Sequence, residues 1–108
     1  MKLIVCIVQD QDTHPLIEDL TESNFRVTKL ASTGGFLKSG NTTLLIGIKA
    51  EEKERVFEII EKNCKTRKVT TPLIPVSIPG ETYIPQPINV KVGGATIFML
   101  DVERHIKI

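Results

Sequence analysis

Phe25-Arg26-Val27-Thr28-Lys29-Leu30-Ala31 and Thr42-Thr43-Leu44-Leu45-Ile46-Gly47-Ile48 are two strand patterns with no helical pattern between them. In the first, Phe25, Val27, Lys29 and Ala31 alternate with Arg26, Thr28 and Leu30, the period of two that predicts a strand, and one of its faces carries Arg26 and Thr28. The connecting stretch Ser32 to Asn41 holds Gly34, Gly35 and Gly40, which predicts a loop whose backbone needs unusual angles or close approach. Phe36 and Leu37 are apolar residues stranded in that loop. Gly47 marks a bulge or a place where something comes close to the backbone.

Outward from this pair, a helix is predicted on each side. Before it, Asp12 or Thr13 can cap a helix, Pro15 suits a first turn, Glu18 and Asp19 favour the positive end, and Leu16, Ile17 and Leu20 make one apolar stripe. That helix is expected to end near Ser23-Asn24. After it, Glu51 to Cys64 sets Val56, Phe57, Ile59, Ile60 and Cys64 on one side and Glu, Lys and Arg on the other. Leu3 to Val8 is an apolar, β-branched run suited to a central strand, and without a small-residue cleavage site after it the opening reads as a strand rather than a signal peptide. Ala95 to Val102 gives a last apolar strand, preceded by a short one at Asn89 to Val92 and a break at Gly93-Gly94. Lys65 to Gln86, with Pro72, Pro75, Pro79 and Pro85, is expected to be a long loop with only short, marginal regular structure.

Strand, helix, strand, strand, helix, long loop, strand is the split β-α-β order of an α+β, ferredoxin-like (βαββαβ) sandwich. With 108 residues the chain is expected to be a single domain, residues 1–108. Two helices cover one face of the sheet. The strands are apolar on both sides, so a monomer would expose a patch that soluble proteins avoid, and an oligomer with packed sheets is expected.

Composition narrows the function. Apolar residues at 41% and charged ones at 25% describe a globular chain, and 14 basic against 13 acidic residues leave no field for holding a nucleic acid duplex. No apolar run approaches the roughly 20 residues of a membrane span. A soluble, cytoplasmic protein is expected. Cys6 and Cys64 lie far apart without CxxC or Cys/His clustering, as expected of two buried thiols. His14 and His105 read as surface residues, and Asp12 is better explained as a cap than as a partner of Asp10 at a metal; no catalytic or metal site is assigned.

Gly35 to Thr42 nearly spells a phosphate loop, but Gly40-Asn41-Thr42 lacks the lysine and feeds a strand instead of a helix. A kinase-like or GTPase-like chain is excluded. A glycine-rich loop beside Arg26, Thr28, Lys29 and Lys38 still has the amides and charge that suit phosphate or base edges, and Phe36 could stack on a base. On chemistry alone an ordinary connecting loop is the stronger interpretation. Gly93-Gly94 is likewise either a bulge in a final hairpin, the favoured interpretation, or backbone placed close to a ligand.

Asn24 to Thr43 closely resembles the PII-like cyclic di-AMP receptors of the PstA type. Val5-Cys6-Ile7-Val8-Gln9-Asp10-Gln11-Asp12, Tyr83-Ile84-Pro85 and Val92-Gly93-Gly94-Ala95-Thr96-Ile97-Phe98 extend the resemblance over nearly the whole chain. It implies a PII-like homotrimer, a short loop after the second strand, a long one after the second helix, and no catalytic activity. It implies ligand pockets between subunits, drawing on Asn24, Arg26, Thr28, Gly35, Phe36, Leu37, Asn41, Gly47, Gly93 and Gly94. Arg26 would meet phosphate, Asn41 and Thr28 an adenine edge, and Phe36 with Leu37 the flat face of a base. Arg26, Thr28, Gly35 to Leu37 and Asn41 are expected to form one wall, completed by a neighbouring subunit. Cyclic di-AMP is the expected ligand, with no other cofactor, and an unidentified downstream protein the expected partner. The alternatives are a sensor of ATP, ADP or another adenine nucleotide, and a nucleotide-processing enzyme. The tail Arg104 to Ile108 reproduces no ending of that family, and no contact is assigned to it.

Overall fold

The computed structural model describes residues 1–30, 40–72 and 87–108. The expected ligand residues Gly35, Phe36 and Leu37, and the Tyr83-Ile84-Pro85 segment, lie outside the described residues.

Strand β1, Lys2–Gln9, runs directly into helix α1, Asp10–Glu22. The helix starts before the predicted Asp12 or Thr13 cap. Its N-cap is Gln9, which makes no side-chain cap bond. The sheet supplies the partner instead: the Asp10 amide donates to the Gly40 carbonyl at 2.9 Å, and the Asp10 carboxylate accepts the Thr42 hydroxyl at 2.5 Å. Asp12 is therefore inside the first turn, and Pro15 lies in the helix interior.

Helix α1 ends in a Schellman turn. Phe25 N–H donates to the Leu20 carbonyl (2.9 Å) and Asn24 N–H to the Thr21 carbonyl (3.0 Å), with Asn24 left-handed at φ 68. The accompanying apolar contact is supplied by buried Leu20 and Phe25. The sequence then enters strand β2, Arg26–Lys29, which pairs antiparallel with β3, Asn41–Ile48.

A 3₁₀ turn at Ala50–Glu52 leads to helix α2, Lys53–Cys64, which buries Val56, Ile59, Ile60 and Cys64 as its apolar stripe predicts. The helices are tied by the Asn63 amide donating to Asp19 at 3.0 Å. Strands β4, Arg67–Pro72, and β5, Pro87–Val92, form a separate two-stranded ribbon. The expectation of a long loop missed β4, because prolines obscure the β-branched run Val69-Thr70-Thr71 although Pro72 stands only at its end. Strand β6, Ala95–Asp101, returns to pair with β1.

The main sheet has the order β2-β3-β1-β6, antiparallel throughout, and the α+β ferredoxin-like, PII-like architecture follows. Ile4, Cys6, Leu44 and Ile46 on one face pack with Leu16, Leu20, Ile59 and Ile60 of the helices. Register puts Leu3, Val5 and Ile7 of β1 on the opposite face, beside Leu45 of β3 and Phe98 and Leu100 of β6. Among the described residues no helix covers that face: Phe98 is 54% and Leu100 50% exposed.

Cys6 and Cys64 are both free and buried. Burial pushes the Cys6 thiol up to about 11 and the Cys64 thiol up to about 12, with Cys6 adding a smaller contribution to the latter.

Candidate functional site

The uncovered face has polar ends, and the expected ligand residues sort between them. At one end Arg26 of β2 is the Cα partner of Gly47 of β3, and Thr28 that of Leu45. Cross-strand partners share a face, so Arg26, Thr28 and Gly47 lie together beside the apolar Leu3 and Leu45. Arg26 and Thr28 are exposed, and among the described residues the Arg26 guanidinium has no carboxylate partner. A Cβ built on Gly47 would meet nothing within 4 Å. The glycine leaves open space instead of relieving a clash.

These residues line a cleft of about 410 Å³ together with Met1, Lys2, Val102, His105 and Lys107. The chain's two ends meet there, since Val102 N–H donates to the Met1 carbonyl at 3.1 Å. Lys2 is paired with Asp101, its register partner on β6, and that ammonium, as donor and as charge, holds the Asp101 carboxyl below its ordinary value. Arg26, His105 and Lys107 add basic groups over an apolar wall, an environment suited to an anion that also carries flat apolar surface.

Asn41 is not part of this cleft. It is six residues from Gly47 on the same strand, about 20 Å along an extended backbone. The antiparallel register carries Arg26 to the far end of β3, on the same face of the sheet as Asn41, and Gly35 to Leu37 of the expected wall lie outside the described residues.

At its own end Asn41 faces Gln9 across β3 and β1. The Gln9 side-chain oxygen accepts the Gly93 amide at 2.8 Å, so Asn41, Gln9 and the Gly93-Gly94 turn form a second polar group. Gly94 N–H donates to the Cys64 carbonyl at the end of α2. Both glycines have positive φ, 87 and 94. They join β5 of the ribbon to β6 of the main sheet, so the favoured bulge in a final hairpin is replaced by a turn between two sheets.

Beside that turn Arg67 Nη2 donates to Asp12 Oδ1 at 2.7 Å, and hydrogen bonding to this carboxylate raises the Arg67 pKa above its ordinary value. Asp12 is 4% exposed and acts as a buried partner of Arg67, not as a cap. Asn24, adjacent to Arg26 in sequence, is exposed and shapes the helix end through its left-handed backbone.

Sequence reasoning missed Lys2, His105, Lys107 and Gln9. Alternation in Arg104-His105-Ile106-Lys107-Ile108 is the signal that places His105 and Lys107 on one side of the tail. Gln9 carried no signal beyond its position between β1 and α1.

Among the described residues no helix is long and apolar enough to cross a membrane. A structure from Pediococcus pentosaceus ATCC 25745, described as that of a functionally unknown protein, is 42% identical over 99% of this chain and 96% of its own, with a TM-score of 0.76. The family model described as cyclic-di-AMP receptor matches residues 1–108, from β1 through both polar groups to the tail; the chain belongs to the cyclic di-AMP receptor family.

Proposed function

We propose that the chain is a non-enzymatic receptor that binds cyclic di-AMP between subunits of a homotrimer and signals occupancy to another protein through its loops. The observation that carries this reading is the pairing of Arg26 with Gly47, an exposed cation beside open space on an apolar face. A cyclic dinucleotide offers two phosphodiester charges and two flat bases. Arg26, with His105 and Lys107 nearby, suits the phosphate, Thr28 an adenine edge, and Leu3 and Leu45 the flat face of a base.

Asn41, Gly93 and Gly94 at the other end of the sheet belong in this reading to the pocket made with the neighbouring subunit. The uncovered strip of Leu3, Val5, Leu45, Phe98 and Leu100 supports packing of sheets in an oligomer, because water contact with that much apolar surface is unfavourable. The pocket needs no metal or further cofactor. Signalling follows if the ligand binds one arrangement of the loops better than another.

Calorimetric titration tests the reading. The expected result is saturable heat with cyclic di-AMP, which is recovered intact after prolonged incubation. Saturable heat with ATP or ADP alone, or turnover of the nucleotide, overturns it.

A further inference from the structure

Arg67, the first residue of β4, reaches back to the first turn of α1. Its Nη2 donates to Asp12 Oδ1 at 2.7 Å, while Nη1 lies 3.5 Å from Asp12 Oδ2 and donates to the Lys65 carbonyl at 3.1 Å. Asp12 is buried, so this two-pronged pair fixes the root of the ribbon to the body of the fold. Across the ribbon Arg67 is the register partner of Val92, the residue before Gly93.

The turn is packed onto this clamp. A Cβ at Gly93 would stand 2.6 Å from the Lys65 carbonyl oxygen and 2.7 Å from Arg67 Nη1. Gly93 therefore rests against the guanidinium with no room to spare, while its amide is engaged by Gln9, the register partner of Asn41. A continuous line of contacts runs from Asn41 through Gln9 and Gly93 to Arg67 and Asp12.

We propose that Arg67 is a positioning residue of the ligand site: held on Asp12, it sets the Gly93-Gly94 turn against Gln9 and thereby couples occupancy beside Asn41 to the β4–β5 ribbon. This rests on cyclic di-AMP binding as proposed above. Coupling of this kind is reciprocal, so whatever loosens the clamp weakens the ligand, and the ligand steadies the ribbon. A lysine cannot replace the arginine, because a single ammonium lacks the planar fork that grips the carboxylate and the Lys65 carbonyl together.

Two variants test the clamp. Arg67→Lys keeps the charge, and Asp12→Asn combined with Arg67→Gln avoids leaving a buried carboxylate unpaired, which would itself be destabilising. Each is compared with the wild-type protein by thermal unfolding, by cyclic di-AMP titration, and by amide exchange of Gly93, Val69 and Val90 with and without ligand. In folded variants the expected result is affinity weakened by about tenfold, faster exchange of the ligand-free Gly93 amide, and loss of the ligand-induced slowing at Val69 and Val90. Wild-type affinity with unchanged exchange, even at a lowered Tm, overturns the proposal and leaves Arg67 a structural tie. If the wild-type protein does not bind cyclic di-AMP, the binding reading fails, and Gly93 exchange in the ligand-free variants still decides whether Arg67 sets the turn.

Discussion

Arg26 faces Gly47 as its Cα partner across β2 and β3, on the side of the sheet opposite helices α1 and α2, and a Cβ at Gly47 would meet nothing within 4 Å. The arginine is thus presented beside a space reserved by the absence of a side chain.

Filling that space separates binding from folding. Gly47→Val is expected to leave the unfolding free energy within about 1 kcal/mol of wild type, since valine suits a strand and its Cβ would meet nothing within 4 Å. It is expected to abolish cyclic di-AMP heat in calorimetry. Arg26→Ala removes a charge-assisted partner contributing about 1.5–3 kcal/mol, so binding should weaken roughly ten- to hundredfold with folding intact.

Asn24 has a backbone role that substitution isolates. At φ 68 it closes the Schellman turn, so Asn24→Gly should retain the wild-type Tm. Asn24→Val should cost about 1–2 kcal/mol in denaturant unfolding, because a branched side chain opposes the left-handed region.

Both thiols should be inert in the folded protein. Disulfide-exchange reagent at pH 8 is expected to modify neither Cys6 nor Cys64 until the chain is unfolded, since burial holds them at about 11 and about 12. Their ordinary value is 9.0, so the folded state retains thiol protons that the unfolded chain releases. The stability this contributes is fully present below pH 9 and declines as pH rises through about 11 to about 12. Urea midpoints measured from pH 8 upward should fall accordingly.

Phe98 tests the uncovered face. At 54% exposure it is not core, so Phe98→Asp should leave the subunit folded by circular dichroism. Light scattering should then report monomer mass for the variant and trimer mass for the wild type; a wild-type monomer contradicts the packing of sheets.

The order of elements was legible because Leu3 to Val8, Thr42 to Ile48 and the stripe ending at Cys64 carry their periods in the sequence. What stayed hidden depended on distant partners. Asp12 looks like a cap until Arg67, 55 positions away, is found on its carboxylate. β4 is masked by prolines, and its partner β5 lies beyond them. Arg26, Thr28 and Gly47 could be recognised as a group from the resemblance, but the separation of Asn41 needs the register of β2 on β3. His105 and Lys107 join the cleft because the tail leaves β6 next to the start of β1, where Val102 bonds to Met1.

That separation yields the most direct test of a pocket shared between subunits. Arg26→Ala and Asn41→Ala proteins are unfolded together, refolded as mixed trimers, and titrated with cyclic di-AMP by calorimetry. Neither variant alone should bind at full strength, whereas random mixing should restore wild-type affinity at about one quarter of the interfaces, those taking Arg26 from one subunit and Asn41 from its neighbour. Mixed trimers that bind no better than the separate variants would contradict the shared pocket.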